Sequence, residues 1–176
     1  MRLLIVDRDG VINEESAEFI KTPEEWRPLP GSIEALAAAS QMGFRIFIVS
    51  NQSGIARGLI EISQLQRIHN KLINEVQRLG GRIDAILFCP HGPDEGCRCR
   101  KPRPGMLESI ALRTGAPLNE AIFVGDRLSD LEAARAVGAR AVLVETGHGM
   151  ETLARLPARE RLNVYPDLAA VVRRLK

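Results

Sequence analysis

The stretch Leu3-Leu4-Ile5-Val6-Asp7-Arg8-Asp9-Gly10 decides the fold of this 176-residue chain. Its four apolar residues are typical of a short strand that is buried on both faces of a parallel sheet. Side chains two positions apart on extended backbone project to the same side, so Asp7 and Asp9 can converge on one point. Two carboxylates at the end of a buried strand suit a hard metal ion and covalent phosphoryl chemistry. Taken alone the pair is a weak signal, because polar residues also simply end strands.

Beyond this stretch, short apolar runs alternate with amphipathic segments. This alternation predicts an α/β fold with a doubly wound parallel sheet, a three-layer sandwich. The further predicted strands cover 44–49, 83–88, 121–124 and 141–144. The predicted helices cover about 32–42, with Ser32 as N-cap, and about 65–79, 104–114, 129–137 and 167–175, with one more short helix in the tail.

Length and composition describe an ordinary globular protein. The chain fits one domain over 1–176, and 45% hydrophobic with 26% charged residues allow a sizeable core. The net charge of +2 is too small to indicate a nucleic-acid partner. No apolar run is long enough to cross a bilayer, and Met1-Arg2-Leu3 runs directly into the first strand without room for a signal peptide. We therefore expect a cytoplasmic protein with no membrane partner and, because no apolar stripe is left over, a monomer.

The unusual residues follow the carboxyl ends of the predicted strands, where doubly wound sheets gather their functional groups. Asp7 could attack phosphorus if Mg²⁺ masks its repulsion from the phosphate, and Asp9 could protonate the leaving oxygen and then activate water. Asp126 would add a carboxylate to the Mg²⁺ site. Ser50 and Lys101 could bind the phosphate oxygens. Considered alone, however, Ser50 is more simply a turn or capping serine and Lys101 a surface lysine.

The three cysteines of the chain, Cys89, Cys97 and Cys99, fall in one loop together with His91. An odd number of clustered cysteines in a reducing compartment argues for metal binding rather than disulfides. Three thiolates and one imidazole make a closed tetrahedral Zn²⁺ site with no open position for a substrate. We predict that this zinc is structural and pins the polar loop 89–99.

The chain resembles the haloacid dehalogenase-type phosphohydrolases in four motifs that occur in the same order. They are Asp7-Arg8-Asp9-Gly10-Val11, Ser50-Asn51-Gln52-Ser53-Gly54, Arg100-Lys101-Pro102 and Gly125-Asp126. The resemblance implies that Asp7 is the nucleophile and Asp9 the general acid and base. It also implies that Asp7, the backbone carbonyl of Asp9 and Asp126 hold Mg²⁺. By the same resemblance, phosphate and substrate are bound by Ser50, Asn51, Gln52, Ser53 and Lys101.

The zinc loop before Lys101 is similar to that of the heptose bisphosphate and histidinol-phosphate phosphatases, and the segments 50–58 and 99–102 look most like the heptose enzymes. This resemblance implies hydrolysis of the 7-phosphate of D-glycero-D-manno-heptose 1,7-bisphosphate through an aspartyl-phosphate, on the route to bacterial surface-glycan heptose. It also implies substrate contacts for Arg100 and Arg127 and places the segment 15–18 at the sugar. The anomer stays open.

Two other functions stay open as well. A histidinol-phosphate phosphatase would share the fold, the metals and the chemistry. A noncatalytic zinc-stabilised module could bind nucleic acid through Arg98, Arg100, Lys101 and Arg103, although aromatic stacking partners are missing nearby. The intervals between the motifs leave no space for a cap domain. We therefore expect an open site walled by the zinc loop and the loop 14–26.

Four further residues carry separate expectations. Asp130, one helical turn after Asp126, could assist the metal site or cap its helix. His69 falls on an amphipathic helix and is predicted to be an ordinary surface residue, while His148 is predicted to be a loop residue. Trp26 is predicted to pack against the core and anchor its loop.

Overall fold

The strand β1, Leu3–Val6, lies inside the sheet, and all four of its side chains are buried. In this computed structural model, which describes residues 1–161 and 163–175, β1 pairs in parallel with β2, Arg45–Asn51, and with β4, Ile122–Gly125. The strand β3, Ala85–Cys89, lies outside β2. Beyond β4 follow Arg140–Val144 (β5) and then Val164–Tyr165 (β6). The strand order is therefore β3-β2-β1-β4-β5-β6.

Helices cover both faces of the sheet because the pleat of β1 sends apolar side chains to both sides. The helices are Ser32–Gln41 (α1), Ile62–Arg78 (α2), Gly105–Thr114 (α3), Leu128–Ala136 (α4), Gly149–Arg155 (α5) and Leu168–Arg173 (α6). Leu4 and Val6 belong to a cluster built with α1, α2 and α6, whereas Leu3 and Ile5 belong to a cluster built with α3 and α4. Two short 3₁₀ turns lie at Leu118–Glu120 and Ala158–Glu160. The predicted doubly wound parallel sheet is confirmed.

Two local features differ from what the sequence predicts. The strand β6 was not predicted, because its two half-buried residues are too few to show any hydrophobic period. Ser32 does not cap α1, since Gly31 holds the N-cap position at a φ of 75°. The Ser32 hydroxyl instead donates a hydrogen bond to the carbonyl of Ile12 at 2.6 Å. It therefore ties the helix to the loop that follows β1.

The loop 14–26 leaves the body of the protein and returns to the same place. The amide of Glu14 donates to the carbonyl of Arg27 at 2.9 Å, which closes the loop at its base. Trp26 is buried in the core, as predicted. Lys71 of α2 donates to the carbonyls of Pro23 and Trp26. The loop is thus fixed against α2 beside the carboxyl edge of the sheet. None of the helices in the described ranges has the length and apolar character needed to cross a membrane.

Leu36→Ala is expected to lower the free energy of unfolding by about 2–5 kcal/mol, because it leaves a cavity between α1 and the sheet. Leu36 is fully buried in the cluster that contains Leu4 and Val6. Leu112→Ala is the matched control, since Leu112 is 88% exposed, and should change the free energy by less than about 0.5 kcal/mol. Urea unfolding of both variants measures the difference; equal effects would contradict the assigned core.

Candidate active site

The carboxyl ends of β1, β2 and β4 bring three buried side chains together: Asp7, Ser50 and Asp126. Lys101 reaches the same place from the segment after β3 and is 4% exposed. Its Nζ lies 2.9 Å from Oδ1 of Asp7 and 2.6 Å from Oδ1 of Asp130. Lys101 is therefore a buried cation held between carboxylates rather than a surface lysine.

Three carboxylates crowd this edge of the sheet. One oxygen each of Asp7, Asp126 and Asp130 lies within 4.8 Å of the others. Burial and the charge of Asp130 raise the pKa of Asp7 well above its usual value, and the same two causes raise the pKa of Asp126 to about 7. For Lys101, burial acts in the lowering direction, but the charges of Asp130 and Asp7 outweigh it and raise the pKa. The cluster carries more negative charge than Lys101 balances.

A divalent cation fits this cluster. Oδ1 of Asp126 is buried and has no hydrogen-bond partner, and the donors offered are carboxylate oxygens, which Mg²⁺ prefers. Oδ2 of Asp126 accepts from the amide of His148 at 2.7 Å, so the carboxylate is fixed from one side. A Cβ atom at Gly10 or at Gly147 would lie 2.3 Å from that same oxygen. The lack of a side chain at both glycines thus leaves room for the Asp126 carboxylate.

Asp9 lies in a different electrostatic environment from Asp7. Its carboxylate accepts from Nε and Nη2 of Arg8 at 3.1 and 2.8 Å, from Asn13 at 2.9 Å and from Gln52 at 2.7 Å. Burial acts to raise the pKa of Asp9, but the charge of Arg8 and these hydrogen bonds lower it below its usual value. The two aspartates of one short motif are therefore distinct, a pattern common to paired acid and nucleophile groups.

The prediction that His69 is an ordinary surface residue is wrong. His69 is 7% exposed, and its Nε2 lies 3.5 Å from Nη1 of Arg8, which is 1% exposed. Burial and the charge of Arg8 lower the pKa of His69 to about 3. The sequence held a signal for this burial, because His69 stands between Leu65 and Leu72 at helical spacing on the apolar face of α2. Arg8 and Asn13 were missed because no period marks them.

The predicted phosphate and substrate residues line one cleft of about 600 Å³. Within it, Gln52 donates to Ser50 Oγ at 2.7 Å as well as to Asp9. Asn51 accepts from the amide of Lys101 at 3.0 Å and donates to its carbonyl at 3.1 Å, and so fixes the backbone of Lys101. The predicted residues around the cleft are Asp7, Asp9, Ser50, Asn51, Gln52, Ser53, Arg100, Lys101 and Arg127. Asp126 does not line the cleft, but a carboxylate oxygen of Asp126 lies within 4.8 Å of one of Asp7.

Asp130 fulfils one of its predicted roles and adds another. Its Oδ2 accepts from the amide of Arg127 at 3.0 Å, which caps α4, while Oδ1 pairs with Lys101. The guanidinium of Arg127 forms an ion pair with Glu15, and Nε2 of His148 lies 3.4 Å from the same carboxylate. The side chain of His148 thus faces the loop 14–26, whereas its backbone amide donates a hydrogen bond to Asp126.

Both predicted walls border the cleft. Pro93, from the segment between His91 and Cys97, lines it on one side, and Phe19 and Ile20 line it on the other. Of the segment 15–18, Glu15 and Ser16 line the cleft, but Ala17 and Glu18 do not. Within the predicted basic group, Arg98 is 88% exposed at its side chain and pairs with Glu108, whereas Arg103 reaches the cleft rim.

The cysteine loop forms a compact cluster. Sγ of Cys89 lies 3.6 Å from Sγ of Cys97 and 3.2 Å from Sγ of Cys99, and Nδ1 of His91 lies 3.2 Å from Sγ of Cys99. Sulfur ligands around a tetrahedral zinc ion lie roughly 3.8 Å apart, so small shifts would place all four donors at zinc distances. The four donor atoms all lie within 4.8 Å of one another. The cluster therefore fits Zn²⁺ and leaves no open ligand position.

Comparisons with known proteins agree with this geometry. A HAD-hydrolase-like family model matches residues 98–171. The chain is 52% identical to the D-glycero-beta-D-manno-heptose-1,7-bisphosphate 7-phosphatase of Pseudomonas aeruginosa, covering 96% of this chain and 94% of that protein. It is 51% identical to the protein of the same name from Pseudomonas putida, covering 99% of each. The chain belongs to this phosphatase family of HAD-like hydrolases.

Solved structures of the family support the same assignment. The heptose bisphosphate phosphatase of Bordetella bronchiseptica, crystallised with magnesium and phosphate, has a TM-score of 0.94 and 47% identity, covering 98% of this chain and 97% of that one. The corresponding enzyme of Burkholderia thailandensis has a TM-score of 0.74 and 38% identity, covering 98% and 96%. The predicted membership of the HAD-type phosphatases is thereby confirmed, and with it the class of phosphoric monoester hydrolases.

Removing zinc with a chelator is expected to lower the melting temperature by roughly 5–10 °C, because the polar loop then loses its cross-link. Cys97→Ser should have the same effect and should reduce phosphatase activity indirectly, since the chain runs from Cys99 directly to Lys101. Arg98→Ser is the control in the same loop and should keep the metal. Thermal unfolding and elemental analysis provide the measurement. Protein that is free of zinc and equally stable would contradict a structural zinc site.

His69 is expected to make the protein less stable in acid. The unfolded chain binds a proton at His69 near pH 6.5, whereas burial and Arg8 lower the folded pKa to about 3. Between these values the free energy of unfolding should fall by up to about 1.4 kcal/mol per pH unit as the pH falls. Denaturant titrations from pH 7 to pH 4 should show this loss in wild type and Val76→Ala but not in His69→Gln. Equal slopes in all three proteins would contradict a buried neutral histidine.

Proposed function

We propose that the chain is a Mg²⁺-dependent phosphatase that removes the 7-phosphate from D-glycero-β-D-manno-heptose 1,7-bisphosphate. The observation that carries this proposal is the buried cluster of Asp7, Lys101, Asp126 and Asp130 beside a separately held Asp9. Such a site offers a nucleophile, a cation and a proton-transferring group in one cleft. The substrate follows from the relatives that share about half of the sequence over nearly the whole chain.

The chemistry begins with attack of an Asp7 oxygen on phosphorus. A new bond forms between that oxygen and phosphorus while the bond from phosphorus to the sugar oxygen breaks. Asp9 gives its proton to the departing alkoxide, and the aspartyl-phosphate on Asp7 remains. Asp9 then takes a proton from water as the water oxygen attacks phosphorus, which releases inorganic phosphate and restores Asp7. Asp7 attacks and Asp9 moves the proton.

Charge control comes from the groups around these two aspartates. Asp7, the Asp9 carbonyl and Asp126 would hold Mg²⁺, which when bound supplies positive charge against the phosphate oxygens. Lys101 supplies a further positive charge, and Ser50 offers its hydroxyl and backbone amide. Before substrate binds, Arg8 favours the ionised form of Asp9. A phosphate group bound beside Asp9 adds like charge and so favours uptake of the proton that the leaving oxygen needs.

The second phosphate of the substrate has basic partners at the rim of the cleft. Arg100 and Arg127 both line it, as do Asn51, Gln52 and Ser53. Arg127 is paired with Glu15 in the free protein. When an anionic substrate binds, Arg127 would exchange this carboxylate partner for a phosphate group of the substrate. A cleft of about 600 Å³ lies within the range of small-molecule sites. These features support a sugar bisphosphate rather than a simple monophosphate.

The β anomer is the proposed substrate because the relatives with 44–52% identity carry the β name, whereas a protein with the α name is 35% identical. We also infer that the chain acts in the cytoplasm, since clustered thiolate ligands stay reduced there. A single domain over 1–176, a monomeric state and the absence of a nucleic-acid partner remain predictions of the sequence.

Asp7→Asn is expected to lower kcat by at least about 1,000-fold, because an amide cannot form the aspartyl-phosphate. Asp84→Asn is the matched control. It makes the same chemical change at the opposite edge of the sheet, where Asp84 pairs with Arg45, and should keep its activity. Phosphate release with Mg²⁺ from the β and α heptose bisphosphates and from histidinol phosphate provides the readout. Retained activity in Asp7→Asn would reject the covalent mechanism, and preference for histidinol phosphate would reject the substrate.

A further inference from the structure

Arg8 joins Asp9 to His69 in the interior of the protein. Its Nε and Nη2 donate to Oδ1 of Asp9 at 3.1 and 2.8 Å, and Nη2 also donates to Oδ2 at 3.0 Å. Its remaining nitrogen, Nη1, lies 3.5 Å from Nε2 of His69. Arg8 is 1% exposed and His69 is 7% exposed. The guanidinium is thus held at one end by a carboxylate of the cleft and at the other by α2.

Burying the polar side chains of Arg8 and His69 costs free energy that their contacts must offset. Burial of a guanidinium is unfavourable unless its N–H groups have partners, and a polar imidazole on the apolar face of α2 likewise needs a hydrogen-bond partner. The neighbours of His69 on that face, Leu65, Leu72 and Val76, are fully buried and apolar. The neutral imidazole supplies an acceptor that an aliphatic side chain lacks. The ring of His69 still packs against Phe88, with the ring centroids 5.8 Å apart, so His69 combines packing with an acceptor for Arg8.

We infer that Arg8 and His69 are positioning residues for Asp9. His69 accepts from Arg8 and fixes the plane of the guanidinium, and the guanidinium in turn fixes the Asp9 carboxylate at the cleft. This inference rests on the proposed function, in which Asp9 gives a proton to the leaving oxygen. General acid catalysis depends on the position of the donor, so a loosened Asp9 slows the step in which the alkoxide leaves.

Substitution of either of the other two side chains that donate to Asp9, Gln52 and Asn13, would also remove contacts that do not involve Asp9. Gln52 lines the cleft and also donates to Ser50, so its replacement would disturb phosphate binding directly. Asn13 also donates to the carbonyl of Glu14 at the base of the loop 14–26. His69 does not line the cleft and reaches Asp9 through Arg8. Its replacement therefore tests positioning without removing a substrate contact.

The test compares two leaving groups in three variants. His69→Ala removes the acceptor, His69→Gln restores an amide oxygen as acceptor, and Val76→Ala truncates a buried residue of α2 without a partner in the site. Heptose 1,7-bisphosphate releases a basic alkoxide that needs a proton, whereas 4-nitrophenyl phosphate releases a stable phenolate that does not. The quantity compared is kcat/KM, because it includes phosphoryl transfer to Asp7 but not the later hydrolysis.

His69→Ala should lower kcat/KM about 10-fold or more with the heptose bisphosphate but less than about 3-fold with the aryl phosphate. His69→Gln should recover at least about a third of the lost activity. Val76→Ala should leave both values within about 2-fold. Inhibition by inorganic phosphate should not change in any variant, because no cleft residue is altered.

Equal losses on the two substrates, or no loss in His69→Ala, would overturn the positioning role. A failure of the proposed function has a different signature. Wild-type protein would then release no phosphate from the bisphosphate with Mg²⁺, and both proposals would be rejected together. An active wild type with equal losses in His69→Ala rejects only the inference about Arg8 and His69.

Discussion

The rest of the site depends on the ion pairs that the Lys101 ammonium forms with Asp7 and Asp130. Three carboxylates within 4.8 Å of one another in a buried place would repel strongly. Lys101 offsets part of that charge, and a divalent cation would offset the rest. Much of the surrounding structure keeps Lys101 in place. Asn51 binds both backbone polar groups of Lys101, and the cysteine cluster fixes the segment that leads to it.

The two aspartates of the first motif are close in the sequence but have different electrostatic surroundings. Both follow β1, which ends at Val6, yet Asp7 lies among carboxylates and Asp9 among hydrogen-bond donors. Residues from the loop after β1, from the end of β2 and from α2 create that difference: Asn13 and Gln52 directly, and His69 through Arg8. Asp7 and Asp9 are therefore distinguished by neighbours that lie 4, 43 and 61 positions away along the chain from the residues they contact.

The loop 14–26 replaces a cap domain as the far wall of the cleft. Its base is closed by the hydrogen bond between Glu14 and Arg27, Trp26 anchors it in the core, and Lys71 holds it to α2. Glu15 projects from this loop to Arg127 and His148. The loop, fixed by these hydrogen bonds, thus contacts residues that follow β4 and β5. The cleft beside it remains open to small anionic ligands.

The sequence by itself determined the first five strands of the sheet, the four motifs and the cysteine–histidine cluster. Each is a local signal: the apolar runs indicate strands buried on both faces, the residues at strand ends lie together in any doubly wound sheet, and four donors of the kind that bind zinc fall within eleven residues. Only the tertiary structure decided that Ser32 ties α1 to Ile12, that Asp130 holds Lys101, and that His69 reaches Arg8. The physical reason is that burial and hydrogen-bond partners at such positions depend on which distant segments pack against them. No spacing along the chain reports that packing.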